Sequence, residues 1–333
     1  MTKKVKVDKN KKTKRKWPKI VGILLILITL SIVGYVFSIY DHAKDSVNEK
    51  MNKKVESIDA SETMDKVDDK EILNILLLGV DERSDDGGRS DSLMVLSLNP
   101  DQKKTTIVSI PRDTLAEIAG KGIETKINHA YAYGGADMSV ATVENLLDID
   151  LDYFVELNME GLADLIDAIG GVTLYNDLDW YDEEGLYKLG YHYQVGNIEL
   201  SGPKALGYVR MRHFDPQGDF GRTERQRQVI NAIIDKGKNM ATVTKLNDII
   251  DVMGDNLQTN MSFNDMKSLL LGYMDTTKNI ESYMLQGENA TIKDIFYYEV
   301  ADEELEKVHD MLLGIGDTTN TASITDEGEV GIE

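Results

Sequence analysis

The feature that most constrains the fold of this chain is a run of 21 uncharged residues, from Ile20 to Tyr40, directly after a basic tail. As an α-helix rising about 1.5 Å per residue, such a run is about 30 Å long, which matches the hydrocarbon thickness of a bilayer. A cleaved signal peptide has a shorter apolar stretch and a small-residue cleavage site. A buried core helix is a poor fit beside so basic a flank. The run therefore predicts an uncleaved transmembrane signal anchor.

The charges on the two sides of this run predict the orientation of the chain. Residues 1–19 hold ten basic side chains and one acid, and the net charge of the whole chain is −21, so the residues beyond the tail carry −30. The positive-inside rule then predicts a single-pass type II cell-membrane protein, with residues 1–19 in the cytoplasm and the remaining domain extracellular. The basic tail is expected to contact anionic membrane lipid. The acidic remainder argues against binding to nucleic acid, and the absence of cysteine excludes disulfides, thiolate nucleophiles and Cys-ligated zinc.

Beyond the anchor at 20–40, the pattern predicts one α/β domain with a mixed central sheet covered by helices. Residues 41–70 are expected to form a charged, partly helical stalk, residues 71–315 the extracytoplasmic domain, and residues 316–333 an acidic disordered tail. The apolar run at 71–80 is typical of a strand buried on both faces. Further strands are predicted at 92–98, 105–110, 153–158, 171–176 and 280–286, and helices at 138–149, 159–171, 201–209, 222–238, 243–253, 263–274 and 302–313.

The arginines of the domain are clustered, whereas its lysines are scattered. Beyond residue 19 there are nineteen Lys and only eight Arg, and the arginines fall in three places: Arg83 and Arg89, then Arg112, then five residues between 210 and 227. Solubilising charges would be spread as the lysines are. Since the planar guanidinium grips phosphate oxygens in pairs, the clustering indicates one anion site within an acidic domain.

Two aspartates bracket the loop that carries the first arginines. Asp81 ends one predicted strand and Asp91 opens the next. If these strands are neighbours, the two carboxylates can converge on one hard cation, such as Mg²⁺ with several waters retained. Turn or capping acids are an equally good interpretation of the spacing, because Asp is common at strand ends.

The second and third arginine clusters supply further polar groups. Arg112 follows a strand that Pro111 closes, and Lys126, Asn128 and His129 are possible polar residues of the same site, although a lone His is more often a structural hydrogen-bonding group. Arg210 and Arg212 would share one face if extended. Arg222 opens a predicted helix, and the free N–H groups at a helix start suit a phosphate. The i, i+3, i+4 spacing places three side chains on one face of this helix: Arg222, Arg225 and Gln226.

Several long motifs, in order, resemble the LytR-CpsA-Psr family of Gram-positive cell-envelope proteins. They are LLLGVDER, GRSDSLMVLSLNP, TTIVSIPRDT, KINHAYAYGG, YFVELNMEGLADLIDAIGGV and YVRMRHFDPQGDFGRTERQRQVI, spread over about residues 72–235. The resemblance implies an extracytoplasmic phosphotransferase. Such a protein moves an anionic glycopolymer, of the wall teichoic acid or capsule type, from an undecaprenyl-pyrophosphate carrier to the C6 hydroxyl of muramic acid in peptidoglycan, forming a phosphodiester.

The resemblance also implies roles for individual residues. Asp81 and Asp91 would hold Mg²⁺, or Mn²⁺, on the pyrophosphate, and Asp91 or Asp219 could be the base. Arg112 and Arg210 are expected to be catalytic. Together with the arginine clustering and the neighbouring Lys126, the expected pyrophosphate-binding set is Arg83, Arg89, Arg112, Lys126, Arg210, Arg212, Arg222, Arg225 and Gln226. The carrier lipid needs an apolar groove, for which the helices at 162–172 and 229–240 are possible walls, although such stripes are usually core.

Three other functions compete with this interpretation. A polyprenyl-pyrophosphate hydrolase would use the same cation and arginines with water as acceptor. A non-catalytic receptor for lipid-linked polymer would keep the arginines but tolerate loss of the acids. Transcriptional regulation is disfavoured, because the only basic segment on the cytosolic side is 19 residues long and too short for a DNA-binding domain.

Overall fold

The structure is a computed structural model that describes residues 41, 44–81, 88–182, 190–238, 249, 253–254 and 256–315. The predicted tail 1–19, anchor 20–40 and C-terminal tail 316–333 lie outside these residues, as do Arg83 and most of the predicted helix 243–253. Within the described part of the chain, no helix is both long enough and apolar enough to cross a membrane.

A six-stranded mixed sheet forms the centre of the fold, which confirms the predicted α/β class. Its strands are β1 (Leu73–Asp81), β2 (Arg89–Asn99), β3 (Lys104–Ile110), β6 (Tyr153–Asn158), β11 (Leu257–Thr259) and β12 (Asn279–Met284), in the spatial order β11-β6-β1-β2-β3-β12. The pairs β1–β2, β2–β3 and β6–β11 are antiparallel, and the pairs β1–β6 and β3–β12 are parallel.

Four two-stranded sheets surround this centre, none of which the sequence pattern predicted in full. They are β4 (Leu115–Ile118) with β5 (Ile123–Lys126), β7 (Val172–Asn176) with β10 (Gly196–Leu200), β8 (Trp180–Tyr181) with β9 (His192–Tyr193), and β13 (Glu288–Ile292) with β14 (Ile295–Glu299). β7 agrees with the strand predicted at 171–176, whereas the other seven strands, of two to five residues each, were not predicted because so short a period-2 pattern resembles a loop.

Helices cover both faces of the central sheet. They are α1 (Ala60–Asp69), α2 (His129–Leu147), α3 (Met159–Ala168), α4 (Gly202–Arg210), α5 (Asp219–Gly237), α6 (Phe263–Gly272) and α7 (Asp302–Leu312). Because side chains alternate along a strand, Leu76 and Leu78 of β1 pack with α2 and α7, whereas Leu73 and Ile75 pack with α5 and α6. The continuous apolar run of β1 is therefore buried on both faces, as its composition predicts.

Two local expectations are corrected. The segment 44–70 is part of the compact domain and does not form a separate stalk, because Val47, Met51 and Val55 are buried and the Lys53 N–H donates to the Thr259 carbonyl at 2.8 Å. The charge-dense sequence of this segment gave no indication of these three buried apolar side chains. Arg210 is the last residue of α4 and is not extended.

Candidate active site

The site lies at the end of the central sheet where β1 ends, β2 begins and β3 ends, and where helix α5 begins. In the β1–β2 pairing, Gly79 lies opposite Ser92 and Val80 opposite Ser90, so Asp91 is the extra residue of a β-bulge. Bulges redirect a side chain out of the regular pleat and often lie beside active sites. Here the bulge accompanies a contact from the Asp91 carboxylate to Arg112, whose Nη1 lies 2.6 Å from Asp91 Oδ1.

Arg112 is surrounded by carboxylates. Besides Asp91, its Nε lies 3.4 Å from Asp219 Oδ2 and 3.8 Å from Asp113 Oδ2. Burial opposes the charge of Arg112, but the carboxylates of Asp219, Asp91 and Asp113 outweigh it and raise the pKa of the guanidinium. Arg112 is therefore held as a fixed cation at the end of β3.

Asp219, the first residue of α5, joins three arginines. Its carboxylate lies 2.8 Å from Arg222 Nη2, 3.4 Å from Arg112 Nε and 3.8 Å from Arg212 Nε. Gly218, which precedes it, has φ +59°, a left-handed conformation that glycine adopts without strain and that turns the chain into the helix. The turn thus gathers side chains from both the loop and the helix around one acid.

Arg222 is the most buried cation of this group, with a side chain that is 10% exposed. Burial lowers the pKa of Arg222 despite the opposing charge of Asp219, and the positive charge of Arg112 lowers it further. Among the described atoms, the Nε groups of Arg112 and Arg222 and Nη2 of Arg222 are buried without an accepting oxygen in hydrogen-bond geometry. Buried donors of this kind are rarely left unsatisfied, so the site is suited to an anion that supplies oxygens.

The other predicted ligands lie on four different elements of the fold. Lys126 Nζ is 2.7 Å from Asp113 Oδ1, which connects Lys126 to the Arg112 site. Arg89 is exposed at the start of β2, opposite Asp81, and Arg210 ends α4. Gln226 is buried one turn after Arg222 on α5.

Arg225 differs from its neighbours on α5, because its guanidinium is used inside the protein. Its Nε donates to the Tyr208 carbonyl at 3.1 Å, and its terminal nitrogens contact the Met211 carbonyl and the Asp215 carboxylate. Arg225 is therefore not brought into the cluster around Asp219. Its contacts fasten the turn between α4 and α5, a role that helical spacing alone does not distinguish from ligand binding.

The proposed metal ligands come from neighbouring strands, as the prediction supposed. Asp81 is the last residue of β1 and pairs with Arg89, two residues before Asp91. The side chain of Asp81 lies outside what the structure describes. In the described residues, no group of three or more His, Asp or Glu side chains is arranged to hold a metal ion. Two carboxylates at adjacent strand ends fit a hard cation that retains several waters.

An apolar cavity of about 240 Å³ adjoins the arginine cluster. Both helices predicted as possible groove walls line it, through Leu162 and Leu165 of α3 and Val229 and Ile233 of α5. Gln226, a buried polar residue one turn after Arg222 on α5, also lines the cavity. The arrangement places a space for hydrocarbon directly beside a site for an anion.

Asp113 was missed by the sequence reasoning. It links Arg112 to Lys126, and its position directly after Arg112 at a strand end could have indicated a charged partner. The pairing of Asp215 with Arg225 joins residues ten apart across a helix start, which no local pattern reveals.

Comparison with known proteins places this geometry in a family. Residues 35–313 match the LytR_cpsA_psr family. The chain is 44% identical over 284 residues to the Bacillus cereus "polyisoprenyl-teichoic acid--peptidoglycan teichoic acid transferase TagU", covering 85% of this chain and 91% of that protein, and 40% identical over 306 residues to its Bacillus subtilis namesake, covering 90% and 96%.

Solved structures show the same relationship. The crystal structure of Bacillus subtilis TagU superposes with a TM-score of 0.58 at 41% identity, covering 73% of this chain and 95% of that chain. The structure described as TagT bound to LIIa-WTA superposes with a TM-score of 0.66 at 32% identity, covering 80% and 97%.

Proposed function

Since the chain belongs to the LytR-CpsA-Psr family, we propose that it transfers an anionic glycopolymer from a polyprenyl-pyrophosphate carrier to peptidoglycan. The names of its Bacillus relatives support a teichoic acid as polymer and peptidoglycan as acceptor. Undecaprenyl as the carrier lipid and the C6 hydroxyl of muramic acid as the accepting group are finer parts of the same proposal.

One observation carries the proposal: buried guanidinium nitrogens that make no hydrogen bond lie near an apolar cavity. The Nε groups of Arg112 and Arg222 make no hydrogen bond among the described atoms, and Gln226, one turn after Arg222 on α5, lines the cavity of about 240 Å³. A polyprenyl pyrophosphate has this same combination, a doubly charged head joined to an apolar tail. A free sugar phosphate or nucleotide would leave the cavity without a function.

The proposed reaction is an in-line displacement at phosphorus. The acceptor hydroxyl oxygen attacks the phosphorus nearer the glycopolymer, its proton passes to a carboxylate, and the bond to the lipid-side bridging oxygen breaks. The products are a glycopolymer–peptidoglycan phosphodiester and a polyprenyl phosphate. We expect Arg112 and Arg222, together with Arg210 and Arg212, to stabilise the negative charge that develops on the oxygens, which is the main demand of phosphoryl transfer.

Asp219 and Asp91 have two possible roles in this scheme. Both carboxylates contact arginines, at 2.8 Å for Asp219 to Arg222 and 2.6 Å for Asp91 to Arg112. Either can accept the proton of the acceptor hydroxyl once the anion displaces it from its arginine. We propose that Asp81 and Asp91 hold Mg²⁺, or Mn²⁺, which supplies additional positive charge to the pyrophosphate.

We also propose that residues 20–40 anchor the protein as a single-pass type II membrane protein, with residues 1–19 cytoplasmic. The support is the uncharged run behind ten basic side chains. A carrier lipid in the same bilayer would then meet the enzyme by diffusion in two dimensions.

The test uses the full chain in detergent with a short-chain polyprenyl-pyrophosphoryl glycan, a peptidoglycan oligomer and Mg²⁺. Mass spectrometry should detect glycan joined to the oligomer through one phosphate, and chelation should abolish it. Free glycan phosphate with unmodified oligomer would instead support a hydrolase. Binding of the donor without turnover, unaffected by Asp91→Asn, would support a receptor.

A further inference from the structure

We infer that the peptidoglycan acceptor binds along a surface, here called the acceptor face, formed by the exposed Lys121, Tyr133 and Phe296 and the half-buried Lys126 and His129. The inference rests on the proposed function and adds to it the site of the second substrate. No predicted or proposed role in the donor site uses Lys121, Tyr133 or Phe296.

The acceptor face begins at the reaction centre. Lys126 Nζ lies 2.7 Å from Asp113 Oδ1, and Asp113 Oδ2 lies 3.8 Å from Arg112 Nε. The β13–β14 hairpin is fixed beside this point, because the Tyr298 N–H donates to the Asp113 carbonyl at 2.9 Å. Phe296, two residues earlier on β14, has its ring centroid 5.7 Å from Lys126 Nζ.

From Lys126 the face continues along the start of α2. His129 Nδ1 lies 3.0 Å from Thr125 Oγ1, which orients the imidazole, and the His129 and Tyr133 rings lie 6.1 Å apart, edge to face. Lys121 Nζ lies 5.5 Å from the centre of the Tyr133 ring. Aromatic rings and cations therefore alternate over a continuous stretch of surface.

The exposure of these aromatic rings requires an explanation. Phe296 is 42% exposed and Tyr133 is 48% exposed, and neither ring belongs to a buried core cluster of the fold. Apolar surface that stays exposed beside polar groups commonly marks a binding site. Flat aromatic rings stack on the apolar C–H faces of pyranose sugars, and their rigid side chains lose little entropy on binding. The ligand indicated is a chain of sugars.

The charge of the face favours an anionic glycan. The residues beyond the basic tail carry a net charge of −30, yet this surface presents the exposed Lys121, and Lys126, which also contacts Asp113, lies at its other end. Peptidoglycan strands carry free carboxylates on their stem peptides. Lys121, beside the Tyr133 ring, can pair with such a carboxylate, and the acidic surface elsewhere would repel the strand.

The position of the face also satisfies the geometry of the reaction. The β4–β5 hairpin and α2 pack on one side of the central sheet, through Ala116, Ile127 and Val140. The cavity is instead lined by α3 and α5, and α5 packs on the opposite sheet face through Ile230 and Ile234. In-line displacement requires the attacking and leaving oxygens on opposite sides of phosphorus. An acceptor arriving from the α2 side and a lipid phosphate departing on the α5 side meet that requirement.

The test compares Phe296→Ala and Tyr133→Ala in the full chain, with Tyr175→Ala as the matched control. Tyr175 is 60% exposed and lies on β7, in a separate sheet. The acceptor KM for a peptidoglycan tetrasaccharide with stem peptides should rise about 3- to 10-fold in the first two variants, the loss expected for one aromatic contact. The donor KM and the control variant should stay within about twofold of wild type, since no donor contact changes.

Two further variants separate binding from folding and test the charge. Phe296→Leu keeps an apolar side chain but removes the flat ring, so it should raise the acceptor KM with an unchanged melting temperature. Lys121→Glu should raise the acceptor KM in low salt and less in high salt, whereas Lys278→Glu, a charge reversal on the 3₁₀ turn Met274–Lys278, should not.

The outcomes distinguish this inference from the proposed function. If the wild type transfers glycan and the acceptor KM is unchanged in all the face variants, or rises together with the donor KM, the acceptor face is refuted while the proposed function stands. Direct binding of the tetrasaccharide without donor, followed by NMR, tests the face independently of turnover. Binding that Phe296→Ala weakens, in a protein that never transfers glycan, would keep the face and refute the transferase.

Discussion

Replacing Asp219 with Asn tests the idea that one carboxylate holds the arginines in place until the donor arrives. The substitution keeps the shape of the side chain and removes the charge that lies 2.8 Å from Arg222. Removing one partner of a buried ion pair typically costs about 3–5 kcal/mol, because the remaining charge is left uncompensated in a poor solvent. The Asp219 side chain is 23% exposed and Arg212 is half exposed, so we expect the lower end.

We therefore expect Asp219→Asn to lower the free energy of unfolding by about 3 kcal/mol, which is about 6–12 °C in melting temperature for a domain of this size. Inorganic pyrophosphate should restore much of this loss. It binds the guanidinium groups that Asp219 has released, and a ligand at 100 times its Kd stabilises a protein by about 2.7 kcal/mol. In the wild type the same anion must compete with Asp219, so its stabilising effect should be smaller.

The assay is thermal unfolding with and without pyrophosphate, and Asp215→Asn is the control. Asp215 and Arg225 form a more deeply buried pair, with side chains 9% and 6% exposed, so the control should lose at least as much stability. Pyrophosphate should not rescue it, because Arg225 also donates to the carbonyls of Tyr208 and Met211. Equal rescue of both variants, or an unchanged melting temperature in Asp219→Asn, would refute the reasoning.

Three further predictions follow from other parts of the structure. Arg112→Ala should lower the rate of glycan transfer by about 10²–10³ with little change in the far-ultraviolet circular dichroism spectrum, since one preorganised donor is lost; a near wild-type rate would exclude its catalytic role. Ile233→Trp, which partly fills the apolar cavity, should raise the KM of a long-chain polyprenyl donor about tenfold and that of a donor with a very short lipid much less, and equal changes would show that the lipid binds elsewhere. Lys66→Met should destabilise the protein by about 3 kcal/mol at pH 7, because Lys66 Nζ lies 3.0 Å from the buried carboxylate of Asp152. Burial raises the pKa of Asp152 above its ordinary value, so the folded state binds this proton more tightly than the unfolded state does. The stability lost in Lys66→Met, measured by urea unfolding, should therefore become smaller as the pH falls from 7 towards 4.

The sequence by itself determined those features of the fold that depend on residues close together along the chain. The apolar run of β1 specifies a strand buried on both faces, and the observed strand spans Leu73–Asp81 against a predicted 71–80. The predicted strand 153–158 is the observed β6. The arginine count pointed to one anion site, and three members of the predicted set, Arg112, Arg212 and Arg222, do lie around Asp219.

Helix α2 shows both what local patterns predict and what they miss. The backbone at Gly134 and Gly135 is non-helical, and the part of α2 after this break, up to Leu147, agrees with the helix predicted at 138–149, whereas the short part from His129 was not predicted. In the preceding turn, the Asn128 N–H donates a hydrogen bond to the Arg112 carbonyl at 3.3 Å, which connects the start of the helix to the site. The two glycines therefore keep their helix-breaking preference here.

Only the tertiary structure decided which charges gather around Asp219 and which fasten the turn between α4 and α5. Arg222 and Arg225 share the same helix, yet Arg222 contacts Asp219 and its Nε makes no hydrogen bond among the described atoms, whereas Arg225 is satisfied by Tyr208 and Asp215. Phe296 reaches the site from a hairpin about 180 residues after Arg112. Periodicity and charge spacing report neighbours within a few residues, whereas the pairing of distant segments depends on how the whole chain packs, and that packing assembled this site.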